Sequence, residues 1–238
     1  MFLTKYTFTA YNFVGVMQMF KERLTEDLNY CAQIYNGCVP FCGGTTYSWA
    51  NDTEYCVNIK NNTVTIVFRG TDSKKEWLSN LAFCKKVIPY GNYESEVRVH
   101  GGFITAYKNQ IVRDRIHSLI SDKPCKIEVT GHSRGAALAV LCAVDLQYNF
   151  PDKSISVTTY GCPRVGNAAF AKSYNKRVTD TVRVENGNDI VTKVPPAIFG
   201  FRHVGARFGV GNTRLPFLFS FNAHYPVQYL KGIINRLY

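Results

Sequence analysis

The sequence predicts an α/β fold in which a mostly parallel central sheet carries helices on both faces. Strand and helix patterns alternate from residue 126 to residue 186, at the spacing of βαβ crossovers. Residues 64–68 and 126–130 are short runs rich in apolar and β-branched residues, typical of strands buried on both faces. Because the chain has no internal repeat and no Gly/Ser linker, we expect residues 1–238 to form a single domain.

The first part of the chain predicts a helix and then a hairpin. Residues 17–36 place apolar side chains at helical spacing. A turn-rich stretch follows, and then come two β-branched runs, 55–60 and 63–68, which Asn61-Asn62 separates. Asparagine tolerates the left-handed backbone of a tight turn, so this pair predicts a hairpin.

The later part of the chain predicts the crossovers. Its expected helices are 102–121, 134–148, 167–175 and the closing helix 226–237. Its expected strands are 126–130, 154–161 and 180–186.

Composition excludes some classes of protein and leaves others open. Hydrophobic residues make up 46% of the chain, which excludes intrinsic disorder as its main state. The net charge of +11 favours attraction to anionic membranes, acidic substrates or nucleic acid. The basic residues are scattered in pairs without a nucleic-acid-binding signature, so we expect no nucleic acid partner. A solvated basic surface without a specific purpose is the alternative.

Cysteine usage and the N-terminal stretch bear on the compartment. The chain has 8 cysteines with no Cys-x-x-Cys pair, and only Cys38 and Cys42 bracket a short loop. The first residues show no dense apolar centre and no Ala-x-Ala site, so we predict no signal peptide and favour the cytoplasm over secretion. Two glycosylation acceptor triplets, at Asn51 and Asn61, point the other way.

The most informative motif is Gly131-His132-Ser133-Arg134-Gly135, a G-x-S-x-G pattern. A serine hydroxyl is a weak nucleophile, and it must be presented on a sharp turn near a base and near donors for an oxyanion. Here a predicted strand runs into the motif and a helix of small residues leaves it. The alternative is a glycine-rich turn with an idle serine.

At these residues the chain resembles the class 3 lipases, serine esterases of the α/β-hydrolase fold. The matching segments, in the family's order, are 66–81, 99–107, 127–146, 159–167, 183–196, 203–205 and 223–230. The resemblance implies ester hydrolysis with no metal or organic cofactor. Two departures are Arg134, where the family usually has leucine, and Ala136, where it usually has glycine. The backbone N–H of residue 134 survives the first departure, although a charged side chain there could alter substrate choice.

The acid is sought downstream of Ser133, because α/β hydrolases order their triad as serine, acid, histidine. Asp145 falls inside the following helix, whereas Asp152 and Asp180 precede strands. Asp189 follows strand 180–186 at the carboxyl edge, where ligands bind in open α/β sheets, and it matches the family's acid. The alternative is a turn aspartate that bonds its own backbone.

For the base, only two histidines follow Asp189. His203 lies in a strand-like run and matches a family position that is not the base, whereas His224 lies between a loop and the last helix. We therefore predict His224 as the base. We expect His117 to be a surface or boundary residue and the side chain of His132 to point away from the serine.

Two segments compete for the oxyanion hole, Arg69-Gly70-Thr71 and His100-Gly101-Gly102. The fold takes one donor from the loop after its third strand and one from the residue after the nucleophile. Residues 69–71 fit that loop, and the resemblance places the donor at Thr71. We therefore predict the backbone N–H groups of Thr71 and Arg134 as the donors, with the Thr71 hydroxyl as a further one.

Residues 72–99 lie where the resembling lipases carry a mobile lid. In this chain the segment places lysines, among them Lys74 and Lys86, around apolar residues such as Trp77. This pattern suits contact with an anionic lipid surface, although packing against the core explains it equally. The predicted function is therefore lipase-type hydrolysis of acylglycerol esters. The alternatives are phospholipase A1-type or short-chain carboxylesterase activity, or a non-catalytic binding module, and the sequence predicts no oligomeric state.

Overall fold

The computed structural model of the chain describes residues 4–36, 46–50, 53–71, 85–87, 94–121, 126–212, 215 and 218–237. Its helices and strands are, in order, α1 (Thr4–Gln33), β1 (Thr46–Ala50), β2 (Thr53–Lys60), β3 (Thr63–Phe68), β4 (Lys85–Val87), β5 (Arg98–His100), α2 (Gly101–Tyr107), α3 (Gln110–Ile120), β6 (Lys126–His132), α4 (Arg134–Asn149), β7 (Ser154–Tyr160), β8 (Gly166–Asn167), α5 (Ala168–Arg177), β9 (Asp180–Asn186), β10 (Phe201–Arg202), β11 (Ala206–Val210) and α6 (Pro226–Leu237). Short 3-10 turns lie at Ile34–Asn36, Val191–Lys193, Ala197–Phe199 and Asn222–His224. No helix in this part of the chain is both long and apolar enough to cross a bilayer.

The central sheet has seven strands in the order β1-β2-β3-β6-β7-β9-β11. The strands from β3 to β11 pair in parallel, whereas β1 and β2 form the antiparallel margin. In register, Phe68 lies opposite Gly131, and His132 lies opposite Tyr160. The loops that leave β3, β6, β7, β9 and β11 therefore open at one carboxyl edge. This topology confirms the predicted α/β fold.

Helices cover both faces of the sheet. On one face, α1 and α6 bury Leu24, Leu28 and Tyr229 in one apolar cluster. On the other face, α2 to α5 form the larger cluster, in which the small residues of α4 lie at full burial beside the strands. Because residues 135–146 of α4 are all buried, it is a central helix rather than a surface one.

Most predicted elements are confirmed, and the hairpin is among them. Asn61 and Asn62 have φ angles of 47° and 62°, the left-handed backbone expected of the turn. The first helix is longer than predicted, because it begins at Thr4 rather than at residue 17. Residues 4–16 hold no proline, and extending a formed helix costs far less than nucleating one.

The predicted helix 102–121 is wrong in one respect, since it is two helices. The side chain of Asn109 accepts a hydrogen bond from the N–H of Ile111 at 3.1 Å and so caps the start of α3. A second sheet has four strands in the order β10-β8-β5-β4, and the sequence does not predict it. Its strands of two or three residues are too short to show a period-2 pattern.

Asp145 of α4 is the centre of a buried polar cluster on the face of the central sheet that α2 to α5 cover. Its carboxylate accepts hydrogen bonds from His117 at 2.7 Å, from Tyr107 at 2.7 Å and from Arg113 at 2.9 and 3.0 Å. Burial favours the neutral acid, but the bonds from His117, Arg113 and Tyr107 outweigh it and hold the pKa of Asp145 below its ordinary value. His117, expected at a boundary, is thus a partner of a buried carboxylate.

We expect Asp145→Asn to destabilise the fold by about 3 kcal/mol, because it leaves the Arg113 guanidinium without its buried counter-charge. A depressed folded pKa means that this stability is present above the ordinary pKa of the acid and is lost as pH falls through the folded pKa. Urea unfolding at neutral and acidic pH measures both effects. A variant as stable as the wild type at neutral pH would contradict the prediction.

Candidate active site

Ser133 occupies the sharp turn between β6 and α4. Its backbone has φ 61° and ψ −127°, a region that residues other than glycine rarely adopt and that costs about 1–3 kcal/mol. A Cβ atom on Gly131 would lie 2.4 Å from the carbonyl of Gly135, and one on Gly135 would lie 2.2 Å from the carbonyl oxygen of Phe68. The two glycines of the motif are therefore required by close backbone approach.

His224 and Asp189 meet at the same edge of the sheet. Nδ1 of His224 lies 2.8 Å from Oδ2 of Asp189, and the two residues are 1% and 0% exposed. The carboxylate oxygen is the acceptor in this pair, so Nδ1 of His224 donates to it. Nε2 is buried and has no hydrogen-bond partner within the described residues. A Cβ atom on Gly161 would lie 2.7 Å from the His224 ring, so only glycine leaves room for the pair.

The Asp189 carboxylate has further donors that fix its orientation. The Tyr229 hydroxyl donates to Oδ2 at 2.5 Å, and the Val191 N–H donates to Oδ1 at 2.8 Å. Burial and the charge of Asp189 raise the pKa of Tyr229 well above its usual range, so the hydroxyl keeps its proton. Tyr229 was not among the predicted site residues, because its only signal in the sequence is one aromatic position on the closing helix.

Thr71 and Arg134 belong to the two segments that leave the neighbouring strands β3 and β6. Thr71 follows β3, the strand beside β6, and therefore leaves the same carboxyl edge as Ser133. Its Oγ1 is buried and makes no hydrogen bond to any residue that the structure describes. Arg134 is the first residue of α4, where a backbone N–H has no acceptor within the helix. Both positions can present donors to an oxygen near Ser133.

His100 and His203, the alternatives for the oxyanion segment and the base, each make hydrogen bonds to the backbone. His100 caps α2, since its Nδ1 accepts a hydrogen bond from the N–H of Gly102 at 3.2 Å. His203 donates Nε2–H to the carbonyl of Thr192 at 2.9 Å. Burial, together with Arg183 and Arg164, lowers the pKa of His203 far below its usual range, so it stays neutral.

The side chain of His132 is buried in the scaffold, where it meets a neighbour that the sequence did not indicate. Its ring lies 4.5 Å from the ring of His224, centroid to centroid, at an interplanar angle of 31°. Its Nε2 lies 2.8 Å from the backbone carbonyl oxygen of His224. The residue before the serine therefore contacts the histidine at the site. Its position at the end of a buried strand could not show which neighbour it would meet.

Several other predictions concern residues that lie partly or wholly outside the described part of the structure. Most of the segment 72–99, with Lys74 and Trp77, lies outside the described residues, as do Cys38, Cys42, Cys84 and Cys125. The remaining cysteines, Cys31, Cys56, Cys142 and Cys162, are buried. In the described ranges, no group of three His, Cys, Asp or Glu side chains could hold a metal ion.

A parallel sheet whose central strand ends in a strained serine, with a histidine–aspartate pair from later loops, defines the α/β-hydrolase class. The model of the class 3 lipase family matches residues 65–199, which is more than half of the chain. The chain belongs to this family.

Known proteins of this kind align with the chain in sequence and in structure. It is 36% identical over 154 residues to a lipase from Rhizomucor miehei, which covers 62% of this chain and 42% of the relative. It is 34% identical over 164 residues to the chloroplastic phospholipase A(1) DAD1 of Arabidopsis thaliana, covering 62% of this chain and 37% of the relative. The chain thus spans about two fifths of the length of these curated relatives. The structure of Rhizomucor miehei triacylglyceride lipase superposes with a TM-score of 0.66 at 29% identity, covering 84% of this chain and 80% of that one.

Proposed function

We propose that this chain is a serine ester hydrolase of the lipase type that cleaves carboxylic esters of acylglycerols. The observation that carries the proposal is the pair of His224 and Asp189, which leaves Nε2 of His224 buried and without a hydrogen-bond partner among the described residues, at the sheet edge that also holds Ser133. A base that is oriented by a carboxylate and lies near a strained serine is the arrangement that activates a hydroxyl nucleophile. Relatives that are named lipases agree with this chemistry.

The proposed reaction has two halves. Oγ of Ser133 attacks the ester carbonyl carbon while His224 Nε2 takes the hydroxyl proton, and the backbone N–H groups of Thr71 and Arg134 stabilise the oxyanion. The C–O bond to the alcohol then breaks, the imidazolium returns its proton to that oxygen, and an acyl-enzyme remains. Water repeats the sequence to release the acid. Asp189 holds the tautomer throughout, and no step needs a metal ion or an organic cofactor.

Labelling by a fluorophosphonate probe, together with hydrolysis of a nitrophenyl ester, tests the proposal directly. We expect one stoichiometric adduct on Ser133, located by peptide mass spectrometry, and loss of ester hydrolysis in proportion to labelling. A folded protein that neither reacts with the probe nor hydrolyses any ester would instead support the non-catalytic binding module.

Phospholipase A1-type activity is the second candidate, because relatives include proteins named as phospholipases A1. Arg134 adds a specific feature, since it places a cation beside Ser133 where the family usually has an apolar residue. A panel of triacylglycerol, phosphatidylglycerol and nitrophenyl butyrate separates lipase, phospholipase and short-chain esterase activity. A preference for the phospholipid that Arg134→Leu removes would favour the second candidate.

We also propose peripheral contact with an anionic lipid surface. Many of the exposed large apolar residues come from the two loops that hold Asp189 and His224: Ile198, Phe199, Leu215, Leu218, Phe219, Phe221 and Tyr225. We call this set the apolar rim. Arg202 donates to the carbonyl of Ala197, which places a cation beside the rim, and the chain carries a net charge of +11. Exposed apolar residues next to cations suit insertion into an anionic interface.

Ile198→Ser should weaken binding to anionic vesicles by roughly tenfold, because Ile198 is 86% exposed and its apolar side chain contributes about 1.5–3 kcal/mol when buried. The matched control is Ile111→Ser, since Ile111 is 61% exposed on α3, away from the rim. Co-sedimentation with neutral and anionic vesicles at low and high salt is the measurement. Equal loss in both variants, or equal binding to all vesicles, would refute the proposed contact.

We further propose that residues 1–238 act as one domain. Supporting this, α1 packs against α6, so the first and last described helices share one apolar cluster over the central sheet. A single cooperative unfolding transition, seen identically by tryptophan fluorescence and by circular dichroism, is the expected result.

A further inference from the structure

A line of side-chain contacts runs from Tyr35, in the 3-10 turn after α1, through His132 to the backbone of His224. His132 is fully buried, and its two ring nitrogens have partners on opposite sides. Nε2 lies 2.8 Å from the carbonyl oxygen of His224, and Nδ1 lies 2.9 Å from the hydroxyl oxygen of Tyr35. The proposed reaction assigns no role to either Tyr35 or His132.

The chemistry of the partners fixes the protons along this line of contacts. A carbonyl oxygen only accepts, so Nε2 of His132 must carry a hydrogen. In the neutral imidazole Nδ1 is then an acceptor, and the Tyr35 hydroxyl donates to it. The direction of donation therefore runs from Tyr35 through His132 to the main chain of His224.

The ring of His132 also forms one wall of the space that holds His224. It faces the His224 ring at 4.5 Å and meets the Tyr229 ring edge-on at 6.0 Å, centroid to centroid. Tyr229 in turn donates to Asp189. His132 thus touches the histidine of the site directly and the residue that orients its carboxylate partner.

Tyr35 also connects His132 to the segment that follows β3, which contains Arg69 and Gly70. The Arg69 guanidinium lies 5.6 Å from the centre of the Tyr35 ring. A Cβ atom on Gly70 would lie 1.9 Å from the Tyr35 hydroxyl, so the hydroxyl occupies space that only glycine leaves open. The next residue is Thr71, a predicted oxyanion donor. The Tyr35 hydroxyl therefore packs against Gly70, the neighbour of Thr71, and also bonds His132, which contacts the backbone of His224.

We propose that Tyr35 and His132 are positioning residues for the ester hydrolysis proposed above, on which this inference depends. The His224 carbonyl requires the Nε2–H tautomer of His132, and the Tyr35 hydroxyl holds that ring in place through Nδ1. The ring so held anchors the backbone of His224 and thereby positions its imidazole. Neither residue touches the substrate or exchanges a proton with it. Their effect is on the geometry of the base relative to the nucleophile and the oxyanion donors.

The test compares conservative variants by kcat, KM and the rate of fluorophosphonate labelling. Tyr35→Phe should lower kcat and the labelling rate by about tenfold, and His132→Phe by about 100-fold, because small displacements of a base cost rates of that order. KM should stay within about twofold in both variants, since the substrate contacts are untouched. His132→Gln should recover part of the loss, because its amide nitrogen can donate to the His224 carbonyl. The double variant Tyr35→Phe/His132→Phe should match His132→Phe alone.

Tyr30→Phe is the matched control, because Tyr30 lies on α1, just before the 3-10 turn that holds Tyr35, and its hydroxyl bonds the exposed Glu26. Ring ¹⁵N shifts of His132 provide a readout independent of activity. They should report Nε2–H in the wild type and in Tyr35→Phe alike, with the Nδ1 shift of the variant moved by loss of the bond from Tyr35. Equal kcat for Tyr35→Phe and Tyr30→Phe, an Nδ1–H tautomer in the wild type, or a loss confined to KM would overturn this inference alone. A wild type that hydrolyses no ester would overturn the proposed function and this inference with it.

Discussion

Ser133→Ala should abolish ester hydrolysis, with a loss of about 10⁶-fold in kcat, and should abolish fluorophosphonate labelling. In the proposed reaction the hydroxyl oxygen forms the bond to the acyl carbon, and alanine has no atom that can take its place. Because alanine meets the same positive φ of 61° as serine, the fold should be unchanged. The measurements are nitrophenyl ester turnover, intact-mass labelling and thermal unfolding on the same preparation.

Two further variants sharpen this expectation. Ser118→Ala removes a hydroxyl from the exposed side of α3 and should leave all three readouts at wild-type values. Ser133→Gly should be as inactive as Ser133→Ala but more stable by about 1 kcal/mol, because glycine adopts the strained backbone freely. Turnover in Ser133→Ala that persists after repurification would show that Ser133 is not the nucleophile.

The elements that the sequence predicted well are those whose signal is local. The turn at Ser133 needs Gly131 and Gly135 because their own backbones crowd their neighbours, and both lie within two residues of the serine. The hairpin likewise needs left-handed residues, and Asn61-Asn62 supplies them on the spot. Alternation of strand and helix was enough for the parallel sheet, since only crossovers of that length join parallel neighbours.

The features that the sequence did not reveal depend on contacts between distant parts of the chain. Tyr229 donates to a carboxylate 40 positions earlier, and His132 bonds a carbonyl 92 positions later. Neither residue differs in type or spacing from an ordinary core aromatic. The second sheet was missed because its strands pair over two or three residues, and the break at Asn109 because a capping asparagine resembles any polar helix residue.

The roles of the other site residues are predictions, and the most direct test among them is which histidine, His224 or His203, is the base. Downstream of Asp189 the two histidines differ in surroundings. His224 bonds Asp189 and leaves its other nitrogen open at the serine edge, whereas His203 donates Nε2–H to the Thr192 carbonyl and stays neutral because its pKa is depressed. A residue that holds a loop affects stability, but one that takes the proton from Ser133 determines the rate.

His224→Ala should therefore lower kcat by about 10⁶-fold, as severely as loss of the serine, because members of a triad act as a unit. His203→Ala is the control; it should keep kcat within about tenfold while lowering the free energy of unfolding by roughly 1–2 kcal/mol through the lost bond to Thr192. Pre-steady-state labelling distinguishes the two, since without its base Ser133 should react slowly at every pH. If His203→Ala removed turnover and His224→Ala kept it, the base would be His203, and the bond between His224 and Asp189 would be structural only.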